Sequence, residues 1–168
     1  MFSSEKIKAL SREAGFDICG VAAIDAFPEL AALDDWLASG YAGEMRYLER
    51  TAVRRRDVRK VMPSARSVIS LGTLYNTNRP YSIEITDPER AKISRYAWGE
   101  DYHNVIKGRM DTLLARLRDA IDVDFEARSY VDTGPVQERV YAQYAGLGWI
   151  GKNTCLINPE QGLSLIHI

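Results

Sequence analysis

Cysteine is scarce in this chain: Cys19 and Cys155 are the only two among 168 residues. Two thiols this far apart cannot hold a cubane cluster, which takes four thiolates. No charged and apolar leader precedes them, so they are expected to stay reduced in the cytoplasm, with a disulfide between them disfavoured. Histidine is equally rare. His103 and His167 alone cannot assemble a zinc set. No apolar run is long enough to cross a membrane. Charge of one sign is also missing: 22 cations against 23 acids leave a net charge of −1, which gives no global attraction to nucleic acid. Any RNA contact would then need a local basic patch. Repeats and low-complexity stretches are absent as well.

What remains is the composition of one soluble globular domain, 46% apolar and 27% charged. Ser3 or Ser4 can cap a helix carrying Ile7, Leu10 and Ala14, with Gly15 as its stop. Phe16 to Ile24 reads as a strand. Pro28 opens a helix with Leu30, Leu33, Trp36 and Leu37 on one face, closed by Gly40. Tyr41 to Arg50 is expected to continue as a short helix. Ser67 to Tyr75 has the β-branched, largely apolar character of a covered strand, and Asn76 to Pro88 is a polar, proline-punctuated loop. Asp101 to Ala120 is the longest helical pattern, with Val105, Ile106, Met110, Leu113, Leu114 and Leu117 on its stripe. Phe125 to Val131 and Thr154 to Ile157 read as strands flanking a helix over Val136 to Ala145. The alternation predicts an α/β fold, a layered mixed sheet with flanking helices.

Chemistry concentrates in three places. Asp132 ends the expected strand and precedes Thr133-Gly134-Pro135, which must turn the chain and start a helix. An acid here is commonly a helix cap. Ligand crevices of α/β sheets nevertheless open beyond the carboxyl ends of strands, where Asp132 falls. Glu138 and Arg139, one turn on, read as a structural pair or a solvated face. Gly146, Gly148 and Gly151 spell G-x-G-x-x-G, but they follow a helix and no acid lies about twenty residues later to hold a ribose. A glycine-rich turn is the plain reading. In Ser94 to His103, S-R-Y-A-W-G-E-D-Y-H, the histidine is open to reading as a ligand, a base or a cap. Arg54, Arg55, Arg56, Arg59 and Lys60, opposed only by Asp57, form the one strong local charge bias, ordinarily a solvated face.

Taken together, Y-V-D-T-G-P-V-Q-E-R-V-Y-A-Q-Y-A-G-L-G-W-I-G-K-N-T-C-L-I-N from Tyr130 to Asn158 and the Ser94 to His103 motif resemble the N-terminal, cobalamin-binding part of the epoxyqueuosine reductase family. Gly43-Glu44-Met45 matches a further family signature. The resemblance covers almost all of residues 1–162. It implies a nitroreductase-like domain and, for the full-length protein, reduction of epoxyqueuosine to queuosine in tRNA by cobalamin, with electrons delivered through [4Fe-4S] clusters whose cysteines this chain does not carry. It assigns Asp132 as proton donor and Arg55, Ser94, Tyr102, His103, Asp132, Lys152, Asn153 and Thr154 to cofactor binding, with no metal ligands. Ser94 stands where some relatives carry cysteine, and Asn153 where many carry histidine.

Residues 163–168, L-S-L-I-H-I, are expected to be a non-native tail. They replace the place where the family continues towards its cluster cysteines, and they match the translation of a transposon end used in sequencing-library preparation. On this reading the fragment alone is inactive, a cytoplasmic monomer with its electron donor undefined. The alternative is a stand-alone corrinoid- or flavin-binding module without catalysis.

Overall fold

The computed structural model describes residues 3–163 and the backbone of 165–167. Ser164 and Ile168 of the expected non-native tail lie outside the described residues. Ser3 caps α1 (Ser4–Glu13) by accepting from the Lys6 N–H, and Gly15 at φ +94° turns the chain into β1 (Ile18–Ala23). Pro28 starts α2 (Pro28–Ala38), and α3 (Arg46–Arg56) follows, ending in a short 3-10 turn at Val58–Lys60. β2 (Ser67–Leu74) then crosses the molecule. After a long loop come α4 (Tyr102–Ala120), α5 (Glu138–Tyr144), the two-residue strands β3 (Trp149–Ile150) and β4 (Leu156–Ile157), and β5 (Leu165–His167). No described helix is long and apolar enough to cross a membrane.

β2 is the middle strand of a three-stranded sheet ordered β1-β2-β5, and β3 pairs with β4 in a separate ribbon. The register sets Cys19 opposite Leu71 and Ala22 opposite Val68. Strand alternation sends Cys19, Ile69 and Leu71 to one face, where they meet Phe16 and the α4 stripe of Ile106, Met110, Leu113 and Leu117. Ala22 and Val68 point to the other face, against Leu30, Val58, Val140 and Tyr141. The sheet is thus covered on both sides, by α1 and α4 below and by α2 and α5 above. Full burial of each large side chain in these layers is worth about 1.5–3 kcal/mol. One contact fixes α5: a Cβ at Gly20 would lie 2.5 Å from the Ala145 carbonyl, so only glycine lets the helix end rest on β1.

The structure corrects four expectations. The described strand pairs are all antiparallel, so the sheet is not mixed. Phe125 to Val131 forms no ladder. Its Phe125 and Val131 side chains do pack on the α4 cluster, so the apolar pattern reports burial, while the backbone stands across a cavity of about 270 Å³ from β2. The helix expected over Tyr41 to Arg50 starts at Arg46, because Gly43 at φ +54° turns the chain first. The strand expected over Thr154 to Ile157 shrinks to β4, since Thr154 at φ +62° is out of extended conformation, and its partner β3 lies inside the glycine-rich loop.

Candidate active site

Asp132 sits at the centre of a three-residue turn. The Thr133 N–H donates to the Val131 carbonyl at 2.5 Å, and Asp132 takes φ +52°, in the left-handed region that non-glycine residues rarely adopt. A conformation of this kind costs about 1 kcal/mol or more and persists when surroundings hold it. Gly134 allows the turn, because a Cβ there would meet the Tyr130 ring at 2.5 Å. No hydrogen bond between the α5 start and this carboxylate is described, so it does not cap that helix. Instead it accepts from the Tyr102 hydroxyl, and the His103 Nε2 stands 4.0 Å from the same oxygen. With its side chain 46% exposed, the acid is open to a ligand on one side.

The first turn of α4 supplies these partners. Asp101 caps the helix by accepting from the His103 N–H at 2.9 Å and also meets the His103 Nδ1 at 2.8 Å. Those two contacts hold the Asp101 carboxyl below the usual carboxylate range. Tyr102 and His103 stack with centroids 4.1 Å apart, and Tyr102 meets Tyr96 edge-on at 5.9 Å, which in turn meets Tyr75 at 6.3 Å. Burial, and then the hydrogen bond to Asp132, push the Tyr102 hydroxyl far above its ordinary range, so it stays a donor. The aromatic series lines a cleft of about 960 Å³ with Arg79, Arg90, Lys92, Arg95 and Arg109 around it.

Glu138 contradicts the solvated-face reading. It is partly buried, and its Oε1 has no hydrogen-bond partner among the described residues. Burial pushes its carboxyl up to about 7, with the Asp132 charge adding to the effect and the Arg55 and Arg139 cations opposing it. Spacing alone gives no sign of this, because the burial follows from where α5 rests on the sheet.

The other expected residues divide. Arg55 lies within electrostatic reach of Glu138, its Nε donating to Thr51 Oγ1 at 3.0 Å. Arg139 donates to the Thr154 carbonyl at 2.8 Å, which ties the glycine-rich loop to α5. Lys152 is exposed on that loop, and Asn153 turns its Oδ1 inward to accept from the Cys155 N–H at 3.2 Å. Ser94 is exposed at the start of a 3-10 turn, where its side chain makes no capping hydrogen bond. Gly148 is consumed by the chain itself, since a Cβ there would lie 2.2 Å from the Ile157 carbonyl. Among the described residues no three His, Cys, Asp or Glu side chains converge to hold a metal ion. Sequence reading missed Tyr75 and Tyr96 as parts of the wall, although Tyr96 lies inside the Ser94 to His103 motif.

Fold and site together define an α/β domain in which a turn and the start of α4 gather an acid, a tyrosine and a histidine from two motifs thirty residues apart. Residues 55–133 match the family described as epoxyqueuosine reductase QueG, DUF1730. The chain is 48% identical over 162 residues to the epoxyqueuosine reductase of Gloeobacter violaceus and 41% identical over 160 residues to that of Leadbetterella byssophila, each alignment covering 95% of this chain. It superposes on the epoxyqueuosine reductase of Streptococcus thermophilus with a TM-score of 0.82 at 26% identity, covering 99% of this chain and 45% of that one. A second solved relative, crystallised with an epoxyqueuosine-modified tRNA-Tyr stem loop, gives 0.75 at 27% identity, covering 97% and 43%. The chain belongs to the epoxyqueuosine reductase family. It spans about half the length of the curated relatives it matches, 49% and 51% for these two.

Proposed function

We propose that this chain is the cobalamin-binding half of an enzyme that reduces epoxyqueuosine to queuosine in tRNA, and that it works in the cytoplasm beside its substrate. The observation that carries the reading is the convergence of Asp132 with Tyr102 and His103, because loss of an epoxide oxygen requires a proton donor at that oxygen. Asp132 is the acid. Tyr102 orients its carboxyl, and the left-handed turn presents it outward. The half-exposed setting leaves the acid to be covered by substrate and cofactor.

The residues present suit a ligand bearing amides and a phosphate. Lys152 is an exposed cation on the loop, and Arg55 is partly exposed with donors beyond its bond to Thr51. The Thr154 turn keeps Lys152 and Asn153 at the rim. Tyr102, His103 and Ser94 would border the group on the α4 side. Cobalamin, when bound, supplies the low-valent redox chemistry, and the [4Fe-4S] clusters that feed it belong to the remainder of the protein. A nitroreductase-like arrangement of the layers, and a non-native origin of residues 163–168, complete this reading.

The test joins residues 1–162 to the part of the Gloeobacter violaceus relative that lies outside its match. The reconstituted chimera is assayed anaerobically on tRNA carrying epoxyqueuosine. Queuosine formation that requires cobalamin supports the reading. A folded chimera with both cofactors loaded and no product would overturn it.

A further inference from the structure

The segment between β2 and α4 has almost nothing buried to hold it. Of residues 76–100, all but Ser82, Ile85 and Arg95 are exposed, among them Tyr81, Ile83, Ile93 and Trp98. Apolar burial therefore does little to fix this length of chain. Short-range bonds do not fix it either: its described backbone bonds are local turns, and neither the Arg90 to Asp87 ion pair nor the Trp98 Nε1–H bond to the Ile93 carbonyl at 2.8 Å reaches beyond five residues. One side chain ties the two ends together. Arg95 Nη1 donates to the Asn76 Oδ1 and, at 2.7 Å, to the Thr77 carbonyl, while Nη2 donates to the Arg79 carbonyl at 2.6 Å. The guanidinium carbon also lies 4.3 Å from the Tyr81 ring centroid and 5.3 Å from that of Trp98. No described ion pair includes Arg95, so its charge strengthens bonds to neutral acceptors.

The next residue connects this tie to the site. Arg95 and Tyr96 share the 3-10 turn Arg95–Ala97, whose backbone bonds run from the Ala97 N–H to the Ser94 carbonyl at 3.0 Å and from the Trp98 N–H to the Arg95 carbonyl at 3.1 Å. A single turn of this kind is weak by itself and takes its place from what its side chains touch. Arg95 fastens it to the chain leaving β2, and Tyr96 meets Tyr75 edge-on at 6.3 Å and Tyr102 at 5.9 Å. Tyr102 in turn donates to Asp132 and stacks on His103. Tyr96 is 48% exposed, too open for its own burial to fix the ring. Release of Arg95 would free the turn, and with it the edge against which Tyr102 rests.

We infer that Arg95 is a positioning residue for the acid: by folding residues 76–79 onto the turn that carries Tyr96, it holds the Tyr96 ring against Tyr102 and so keeps the Tyr102 hydroxyl on Asp132. For turnover the inference rests on the reading of Asp132 as the proton donor. Its structural part stands on the contacts alone. Arginine suits the task, because its planar fork offers donors in fixed directions to several acceptors at once, whereas a lysine ammonium is a point charge on a flexible stem. The same tie shapes one wall of the cleft of about 960 Å³, which Thr77, Arg79, Tyr96 and Trp98 all line.

The test compares the chain with its Arg95→Gln variant. Limited proteolysis should cut residues 76–94 roughly tenfold faster in the variant, while amide exchange of the β1–β2 ladder and of α4 stays as in the parent. The His103 ring protons, which sense the Tyr102 ring stacked 4.1 Å away, should shift in the NMR spectrum towards the position of an unstacked imidazole. Arg95→Lys keeps a cation without the fork and should fall between the two. In the chimera of residues 1–162 with the rest of the Gloeobacter violaceus relative, Arg95→Gln should lower turnover at saturating tRNA roughly tenfold, and adding Tyr102→Phe should lower it no further. Multiplied losses in the double variant, a His103 signal that stays in place when the loop is freed, or parental proteolysis of both variants would each overturn the positioning role. If Arg95→Gln fails to fold, Arg95→Lys decides by the same readouts. An inactive chimera with Arg95 intact bears on the enzyme reading, and proteolysis and the His103 signal then decide the inference by themselves.

Discussion

Asp132 and Glu138 stand six residues apart, on either side of one proline-containing turn, in opposite environments. Asp132 is half-exposed, strained in its backbone, and held by a hydroxyl with an imidazole nearby. Glu138 is regular in its helix, sheltered, and has one oxygen with no partner. Strain and partners at the first position, and burial without partners at the second, are different ways of spending stability. The first aims a carboxyl outward. The second holds a carboxyl close to neutrality inside the fold, ready for whatever reaches the cavity it lines.

The largest expected effect tests the outward acid. In the assembled enzyme, Asp132→Asn should slow epoxide opening roughly 10²–10⁴-fold while leaving cobalamin binding nearly intact, read by single-turnover product formation together with the cofactor spectrum. Asparagine tolerates a positive φ, so the turn survives. Near-normal turnover would reduce Asp132 to a turn residue and erase the contrast.

Glu138→Gln tests the inner carboxyl. Its pKa is raised from 4.5 to about 7 in the folded chain, so between those values the folded state binds more protons than the unfolded one. Stability contributed at this site is therefore greatest below pH 4.5 and declines as pH rises through 7. The glutamine variant escapes the penalty and should gain on the parent across that window, by up to about 3 kcal/mol above pH 7. Parallel melting curves for parent and variant from pH 4 to pH 8 would show that Glu138 is not sheltered as described.

A smaller change is expected from Tyr102→Phe, which removes the hydroxyl from Asp132 and keeps the ring stack. Turnover in the assembled enzyme should fall roughly tenfold, in line with the loss of one hydrogen bond that orients the carboxyl. A loss as large as that of Asp132→Asn would mean that the tyrosine carries the proton itself. Smallest is Ser3→Ala, which deletes the α1 cap far from both carboxyls. About 1 kcal/mol of stability should be lost by chemical denaturation, with turnover unchanged.

The legible parts of this molecule are those decided by neighbours in sequence. Ser3, Gly15 and the α4 stripe follow from caps and spacing, and the helix positions were readable from them. Phe125 to Val131 was readable as covered but not as unpaired, because a strand is defined by a partner that no local pattern reports. The meeting of Asp132 with Tyr102 and His103 was legible only through the two motifs that resemble the family, for nothing in composition brings residues thirty apart into contact. Glu138 escaped notice because its environment depends on Gly20 admitting the end of α5 onto β1. The fate of the glycine-rich loop was hidden in the same way: Gly148 serves a backbone approach made by the chain's own β4.

The placement of His103 fixes which groups meet at the edge of the site. Asp101 can only accept at the carboxylate oxygen that meets Nδ1, so that nitrogen carries hydrogen in the neutral ring, and Nε2 is left with the lone pair. Nε2 is also the nitrogen nearer Asp132, 4.0 Å from its oxygen. In the neutral ring the two atoms are therefore acceptors side by side, a setting that welcomes a donor group of a ligand between them.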